Sequence, residues 1–274
     1  MVGPQLICLN ITGYHQIMTG DILRLIVKNC TSLEKIHLGP GMKLTDESLR
    51  MLFRDQERSR NLTLLRMYGT RCKYLNHDIL LDMSKACVNL TELYMAGIKC
   101  VDDTLLFSIA NHMPRLKHIS LGEYGRLGRR SATNQVTDNG VVELTRCCPL
   151  EFIGLTGIHC ITDKSIFALA NNCPDLKTLF ISGCSKVTTQ ATNYLQQAIA
   201  YDLNNSDVTP VRTSFMGEQR RVSHTSSVFK CHACGVASML STVVRHPPRF
   251  SSCSGMNLCA NHSTFSLSNR NSFR

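Results

Sequence analysis

One short apolar pattern recurs seven times in this chain and decides what it can fold into. Leu-x-x-Leu-x-Leu, with Ile or Met allowed, runs as Leu6-x-x-Leu9-x-Ile11, Leu33-x-x-Ile36-x-Leu38, Leu62-x-x-Leu65-x-Met67, Leu90-x-x-Leu93-x-Met95, Leu116-x-x-Ile119-x-Leu121, Leu150-x-x-Ile153-x-Leu155 and Leu176-x-x-Leu179-x-Ile181. Successive copies start 27, 29, 28, 26, 34 and 26 residues apart, and the fifth carries the extra residues. Repetition at such a period marks stacked units, none of which can bury its apolar face alone. Each unit completes its core only against its neighbours.

The second half of each copy repeats as well. The apolar strand is followed by a turn, often with a cysteine (Cys72, Cys100, Cys160, Cys184), and then by Leu44-Thr45-Asp46, Val136-Thr137-Asp138 or Ile161-Thr162-Asp163. Thr or Asp at such a place accepts hydrogen bonds from the free amides that open a helix. Helically spaced apolar residues follow, as in Ile166, Leu169 and Ala170. The helix closes with Cys30, Cys87, Cys148 or Cys173, and Pro149 and Pro174 stop it.

This arrangement resembles the cysteine-containing class of leucine-rich repeats. The nearest match runs from Cys148-Pro149-Leu150 through Leu155 to Cys160-Ile161-Thr162-Asp163, and Cys173-Pro174-Asp175-Leu176 restarts it. The resemblance covers about residues 6 to 200. It implies an α/β solenoid, with a curved parallel β-sheet on the concave side and helices on the convex side. Residues 1–200 are expected to form this domain of about seven repeats, and residues 201–274 a Ser/Arg-rich, mostly disordered tail.

The function classes narrow from there. The net charge is +10, but residues 201–274 hold eight Lys/Arg against three Asp/Glu, so half of the excess lies in the tail. The repeats are only mildly basic, which does not suit a nucleic-acid groove. No secretory leader or membrane-length apolar run is seen, so a soluble, cytoplasmic or nuclear protein with reduced thiols is expected. Ten of the fourteen cysteines fall in residues 1–200, placed by the repeat register along the stack, where small buried fillers are the expected role. No serine, histidine and acid arrangement emerges, and the chain is not expected to be an enzyme. His37 and His118 lie three repeats apart, on the order of 15 Å, too far to share one metal. His77 falls at a capping position, with a structural role.

Binding residues come from the strand pattern. The second and third apolar positions of each copy face the core, so the residue before each projects from the concave side. Those two columns read Cys8 and Asn10, Lys35 and His37, Leu64 and Arg66, Glu92 and Tyr94, His118 and Ser120, Phe152 and Gly154, Thr178 and Phe180. Aromatic and Arg side chains anchor protein interfaces more often than others. Lys35, His37, Arg66, Glu92, Tyr94, His118, Phe152 and Phe180 are therefore the expected contacts for a protein client. The alternative for Phe152 and Phe180 is packing beneath the tail. The insertion from Gly122 to Gln135, with Arg126, Arg129 and Arg130, reads as a solvated loop.

Toward the two ends the periodicity gives way. Leu6 opens the first repeat so early that no polar cap precedes it, which suggests a truncated front or a partner there. Thr189 to Ala200 reads as a closing helix with a polar outer face. Within 229–263 the tail carries Cys231-x-x-Cys234 and Cys259-x-x-His262, four ligands of the kind a tetrahedral zinc site uses. The surrounding composition favours an unstructured segment instead. No cofactor is otherwise expected.

Proteins similar to this repeat region are chiefly the F-box leucine-rich-repeat proteins. The resemblance implies substrate recognition for a cullin-type (SCF) ubiquitin ligase, with ligase components as further partners. Residues 1–5 leave no room for an F-box, which is a departure from the family. The competing reading is a non-catalytic scaffold unrelated to ubiquitin, using the same concave face.

Overall fold

The computed structural model describes residues 4–12, 20–39, 45–67, 75–122, 135–203, 212–214, 227–230, 237–240 and 264–266. Seven short strands alternate with helices: β1 (Cys8–Asn10), α1 (Gly20–Asn29), β2 (Lys35–Leu38), α2 (Asp46–Arg54), α3 (Gln56–Asn61), β3 (Leu64–Met67), α4 (His77–Ala86), β4 (Glu92–Tyr94), α5 (Asp103–His112), β5 (His118–Ser120), α6 (Asp138–Cys147), β6 (Phe152–Gly154), α7 (Asp163–Asn172), β7 (Thr178–Phe180) and α8 (Thr189–Leu203). Strands β1 to β7 pair in sequence order and all in parallel. The chain is an α/β leucine-rich-repeat solenoid.

Register follows from burial. Leu9, Ile36, Leu65, Leu93, Ile119, Ile153 and Leu179 stand opposite one another across the seven strands, each at most 1% exposed. A slip of one residue would turn this whole row to solvent. Behind it the helices bury Leu49, Leu80, Leu106, Leu144 and Leu169 against the same core.

The repeats are also joined by a polar ladder at the helix N-termini. Thr162 caps α7 through its hydroxyl, which accepts from the Lys164 amide at 3.2 Å. The Asp beside each capping residue serves the next repeat. Asp138 accepts from the Thr162 amide at 2.8 Å, the Thr162 hydroxyl at 2.7 Å and the Ser165 hydroxyl at 2.5 Å. Asp163 does the same for Thr188, at 2.7 Å twice, and Asp46 accepts from the Asn76 amide at 2.8 Å. Where the sequence departs from Thr-Asp, the rung is rebuilt: His77 Nε2 lies 2.8 Å from Asp102 Oδ1, and Asp102 in turn caps Leu105. The N-cap of α4 is Asn76 and not His77, which the sequence suggested; His77 is the first helical residue, and its ring bonds the next repeat instead.

Turn glycines share one place. Gly97, Gly157 and Gly183 have φ of 80°, 75° and 80°, in the left-handed region where a Cβ is strained. They turn the chain away from the strand so that Ile98, Ile158 and Cys184 reach the core.

Cys8, Cys30, Cys87, Cys148, Cys173 and Cys184 are buried, whereas Cys100 and Cys147 are only half-buried and Cys160, in a surface turn, is exposed and is not the core filler expected of it. Cys148 donates to the Met113 carbonyl (3.6 Å), Cys173 to Thr145 (3.8 Å) and Cys184 to Leu155 (3.1 Å), each reaching into the preceding repeat. Burial pushes the Cys87 and Cys148 thiols up to about 12 and those of Cys173 and Cys184 to about 11.

One element was not foreseen. The second repeat holds two helices, because Asp55 adopts an extended backbone that ends α2 and starts α3, where its carboxylate accepts from the Arg58 amide at 3.3 Å. Asp competes with helix interiors for this kind of local bond.

Beyond α8 the described residues are four strands. β8 (Arg212–Ser214) pairs with β7, β11 (Thr264–Ser266) pairs with β1, and β9 (Ser227–Lys230) pairs with β10 (Ala237–Leu240). Cys231, Cys234, Cys259 and His262, on which the zinc expectation falls, lie outside the described residues, as does the insertion from Glu123 to Asn134.

Candidate protein-binding surface

Strand alternation sets the two columns on the open side of the sheet. Lys35, His37, Arg66, Glu92, Tyr94, His118, Phe152 and Phe180 are all half-buried there, while the core residue between each pair is buried. Six of the eight form one connected run. The Arg66 guanidinium lies over the Tyr94 ring, 4.4 Å from its centroid, and approaches Glu92 Oε2 at 3.4 Å. The Tyr94 hydroxyl donates to that same oxygen at 3.2 Å, and His118 Nδ1 comes within 3.8 Å of it. Aromatic contacts then carry the run onward. Phe152 meets Tyr94 at 5.9 Å, His118 at 6.0 Å and Phe180 at 5.5 Å, the last pair edge to face at 71°. Such pairs favour tilted geometries and each adds about 0.5–1.5 kcal/mol beyond area burial.

Phe152 holds the centre because its neighbours in the second column are small. Ser120 and Gly154 fall between Tyr94 and Phe180, and a Cβ on Gly154 would lie 2.9 Å from the Ser120 hydroxyl oxygen. Reading that column downward as large, small, small, large is the signal that locates this central ring. Neither Ser120 nor Gly154 was among the expected contact residues.

Lys35 and His37 join the surface by register, since His37 pairs with Arg66 across β2 and β3. Burial, followed by the Arg66 charge, lowers His37 to about 4, so its ring is neutral at physiological pH. Burial pushes the Glu92 carboxyl up, but His118, Arg66 and the Tyr94 hydroxyl outweigh it and hold it at about 2. Glu92 is therefore a carboxylate fully engaged by its neighbours.

At the edge of the sheet a second cluster went unforeseen. Glu151 bridges Lys117 and Lys177, at 2.7 Å each, from the residue just before the first column in three successive repeats. Reading that third column would have found the alternating charges. With the lysines more than half exposed, these pairs are worth little individually.

Among the described residues no group of three or more His, Cys, Asp or Glu is placed to hold a metal ion. His37 and His118 stand on β2 and β5, three strands apart. No helix among the described residues is long and apolar enough to cross a membrane.

The fold and this face together describe a leucine-rich-repeat solenoid with an open concave sheet. No protein-family model matches the chain. It is 27% identical over 150 residues, 51% of its length, to Antagonist of mitotic exit network protein 1 of Candida albicans. It is 28% identical over 133 residues, 47% of its length, to the protein of that name from Eremothecium gossypii. The matched segments make up 22% and 31% of those relatives' own lengths. Among solved structures it is similar to the leucine-rich repeat-containing protein LegL7 of Legionella pneumophila, with 13% identity and a TM-score of 0.43, over 70% of this chain and 61% of that one.

Proposed function

We propose that this chain is a non-catalytic protein-binding module whose concave sheet captures a client, and that the capture serves substrate recognition for a cullin-type ubiquitin ligase. The single observation that carries the binding reading is the continuous run Arg66–Tyr94–Phe152–Phe180 on the open face of the sheet. Aromatic and Arg side chains held against one another have already lost their rotamer freedom, so a client gains their area at low entropic cost. The ligase reading is supported by the resemblance of the repeats to F-box leucine-rich-repeat proteins. A scaffold unconnected to ubiquitin is the second reading, favoured by the same face.

One experiment separates them. Proximity labelling in cells, with the intact chain and with Phe152→Ala and Phe180→Ala together, should recover a client set that the double variant loses. Cullin components in the intact sample support the ligase role, and their consistent absence supports the scaffold. A client set unchanged by the double variant would overturn the concave-face reading.

A further inference from the structure

Charged and aromatic groups are segregated along the concave face. Lys35 and His37 share one side of β2, and His37 stands in register with Arg66 on β3. The two columns of β1, β2 and β3 contain no carboxylate; β1 contributes Cys8 and Asn10, and β3 contributes Leu64 beside Arg66. Glu92 on β4 is the sole acid in the columns of β1 to β7, and Arg66, Tyr94 and His118 already surround it. From β4 onward the face is aromatic, through Tyr94, Phe152 and Phe180.

Building on the protein-binding reading, we propose that the client is an extended segment laid across the strands, with an acidic side chain against Lys35, His37 and Arg66 and a bulky apolar side chain against Phe152 and Phe180. The spacing follows from the sheet. From β2 and β3 to β6 and β7 is four strand spacings of about 4.8 Å, or about 19 Å, and an extended chain rises about 3.3 Å per residue. The acidic and apolar residues are therefore about six positions apart.

Charge decides the sign of the partner. A basic residue at the β2–β3 corner would meet Lys35 and Arg66 as like charges, and the one acid in the columns of β1 to β7, Glu92, has its partners already. An acid meets the Lys35 ammonium, the edge of an Arg66 guanidinium that is shared with Glu92 and Tyr94, and a neutral imidazole able to donate a hydrogen bond. At the other end Phe152 and Phe180 offer partly solvated rings beside Gly154 and Thr178, with Arg212 of β8 in register with Thr178 and no acid in the columns of β5 to β8, which suits an apolar side chain.

A displayed library of random peptides of about a dozen residues, panned on the full chain, tests this. Enriched peptides should carry Asp or Glu about six positions from Phe, Leu, Ile or Met, in either chain direction. Lys35→Glu should weaken them by about tenfold or more, and exchanging the peptide's acid for Lys should restore affinity on that variant. Enriched peptides that lack the acid, or are indifferent to Lys35→Glu, yet are lost with Phe152→Ala, would overturn this inference and leave the protein-binding reading intact. Enrichment indifferent to both substitutions, or no enrichment, would overturn both.

Discussion

Asp103, in the first turn of α5, crosses to the next repeat and accepts from the backbone amide of Thr137 at 2.7 Å and from its hydroxyl at 2.5 Å. The contact depends on Gly140 in α6, where a Cβ would lie 2.4 Å from Asp103 Oδ1. Gly→Ala inside a helix ordinarily gains about 1 kcal/mol. Here overpacking should reverse the sign, so that Gly140→Ala destabilises by about 1–3 kcal/mol. The urea midpoint checks this, and adding Gly140→Ala to an Asp103→Ala background should lose most of the penalty. A higher midpoint for Gly140→Ala alone would contradict the packing described.

Asp138 receives three hydrogen bonds from the next repeat. Asp138→Ala leaves the Thr162 amide and two hydroxyls without their acceptor, and should cost about 2–4 kcal/mol. Hydrogen exchange should quicken first in α6 and α7, the helices this rung joins. Uniform quickening across the chain would show that the rung is not local.

Phe152→Ala removes three ring contacts at once. Because the side chain is half-buried, folding should lose only about 1–2 kcal/mol, whereas client affinity should fall by about thirtyfold, the scale of a central interface anchor. Titration calorimetry with a client peptide, alongside thermal unfolding, reads the two effects separately. Equal affinity for the variant and the parent would remove Phe152 from the interface.

Acid should weaken the fold in two stages. His37 is lowered to about 4 from 6.5, so between those values the unfolded chain binds the extra proton and stability falls with pH, by up to about 3 kcal/mol. The groups around it are Lys35 on its own strand, Arg66 and Glu92 across β3 and β4, and uncharged Cys8 and Asn10 on β1. Glu92 is lowered to about 2 from 4.5, and its contribution, complete above 4.5, disappears as pH falls toward 2. Denaturation midpoints measured from pH 7 to pH 3 should show both stages. His37→Gln should remove the upper one and leave the lower, and an unchanged upper stage would clear His37 of it.

Thiol chemistry should divide along burial. Cys160 is exposed, whereas Cys87, Cys148, Cys173 and Cys184 are buried and held protonated at pH 8. Brief alkylation of the native chain followed by peptide mass analysis should find Cys160 modified and those four protected. Early labelling of Cys148 or Cys173 would mean that the core opens readily.

Much of this architecture was legible because its signals are local or strictly periodic. Leu-x-x-Leu-x-Leu located β1 to β7 and their inward row but none of β8 to β11, which carry no such repeat, and Thr45, Thr137 and Thr162 marked helix starts by capping chemistry alone. The break at Asp55 was not legible, since an Asp among helix-forming neighbours carries the same local preferences whether or not the chain turns. Asp46, Asp138 and Asp163 read as caps for their own helices; that their carboxylates serve the following repeat depends on how the units stack. The columns placed Arg66, Glu92, Tyr94 and Phe152 on one face, but which of them touch is set by side-chain length across neighbouring strands, and by the small residues at Ser120 and Gly154.

The ladder of helix starts is unevenly stitched. The rungs from Asp46 to Asn76 and from His77 to Asp102 hold by one hydrogen bond each, while those from Asp103, Asp138 and Asp163 hold by two, three and two. Stability in a solenoid is shared between nearest neighbours, so on the rungs among the described residues alone the stack is expected to loosen through β2, β3 and β4 before its rear does. Lys35, His37 and Arg66 ride on that looser half, and a captured segment spanning both halves would act as a clasp across the seam.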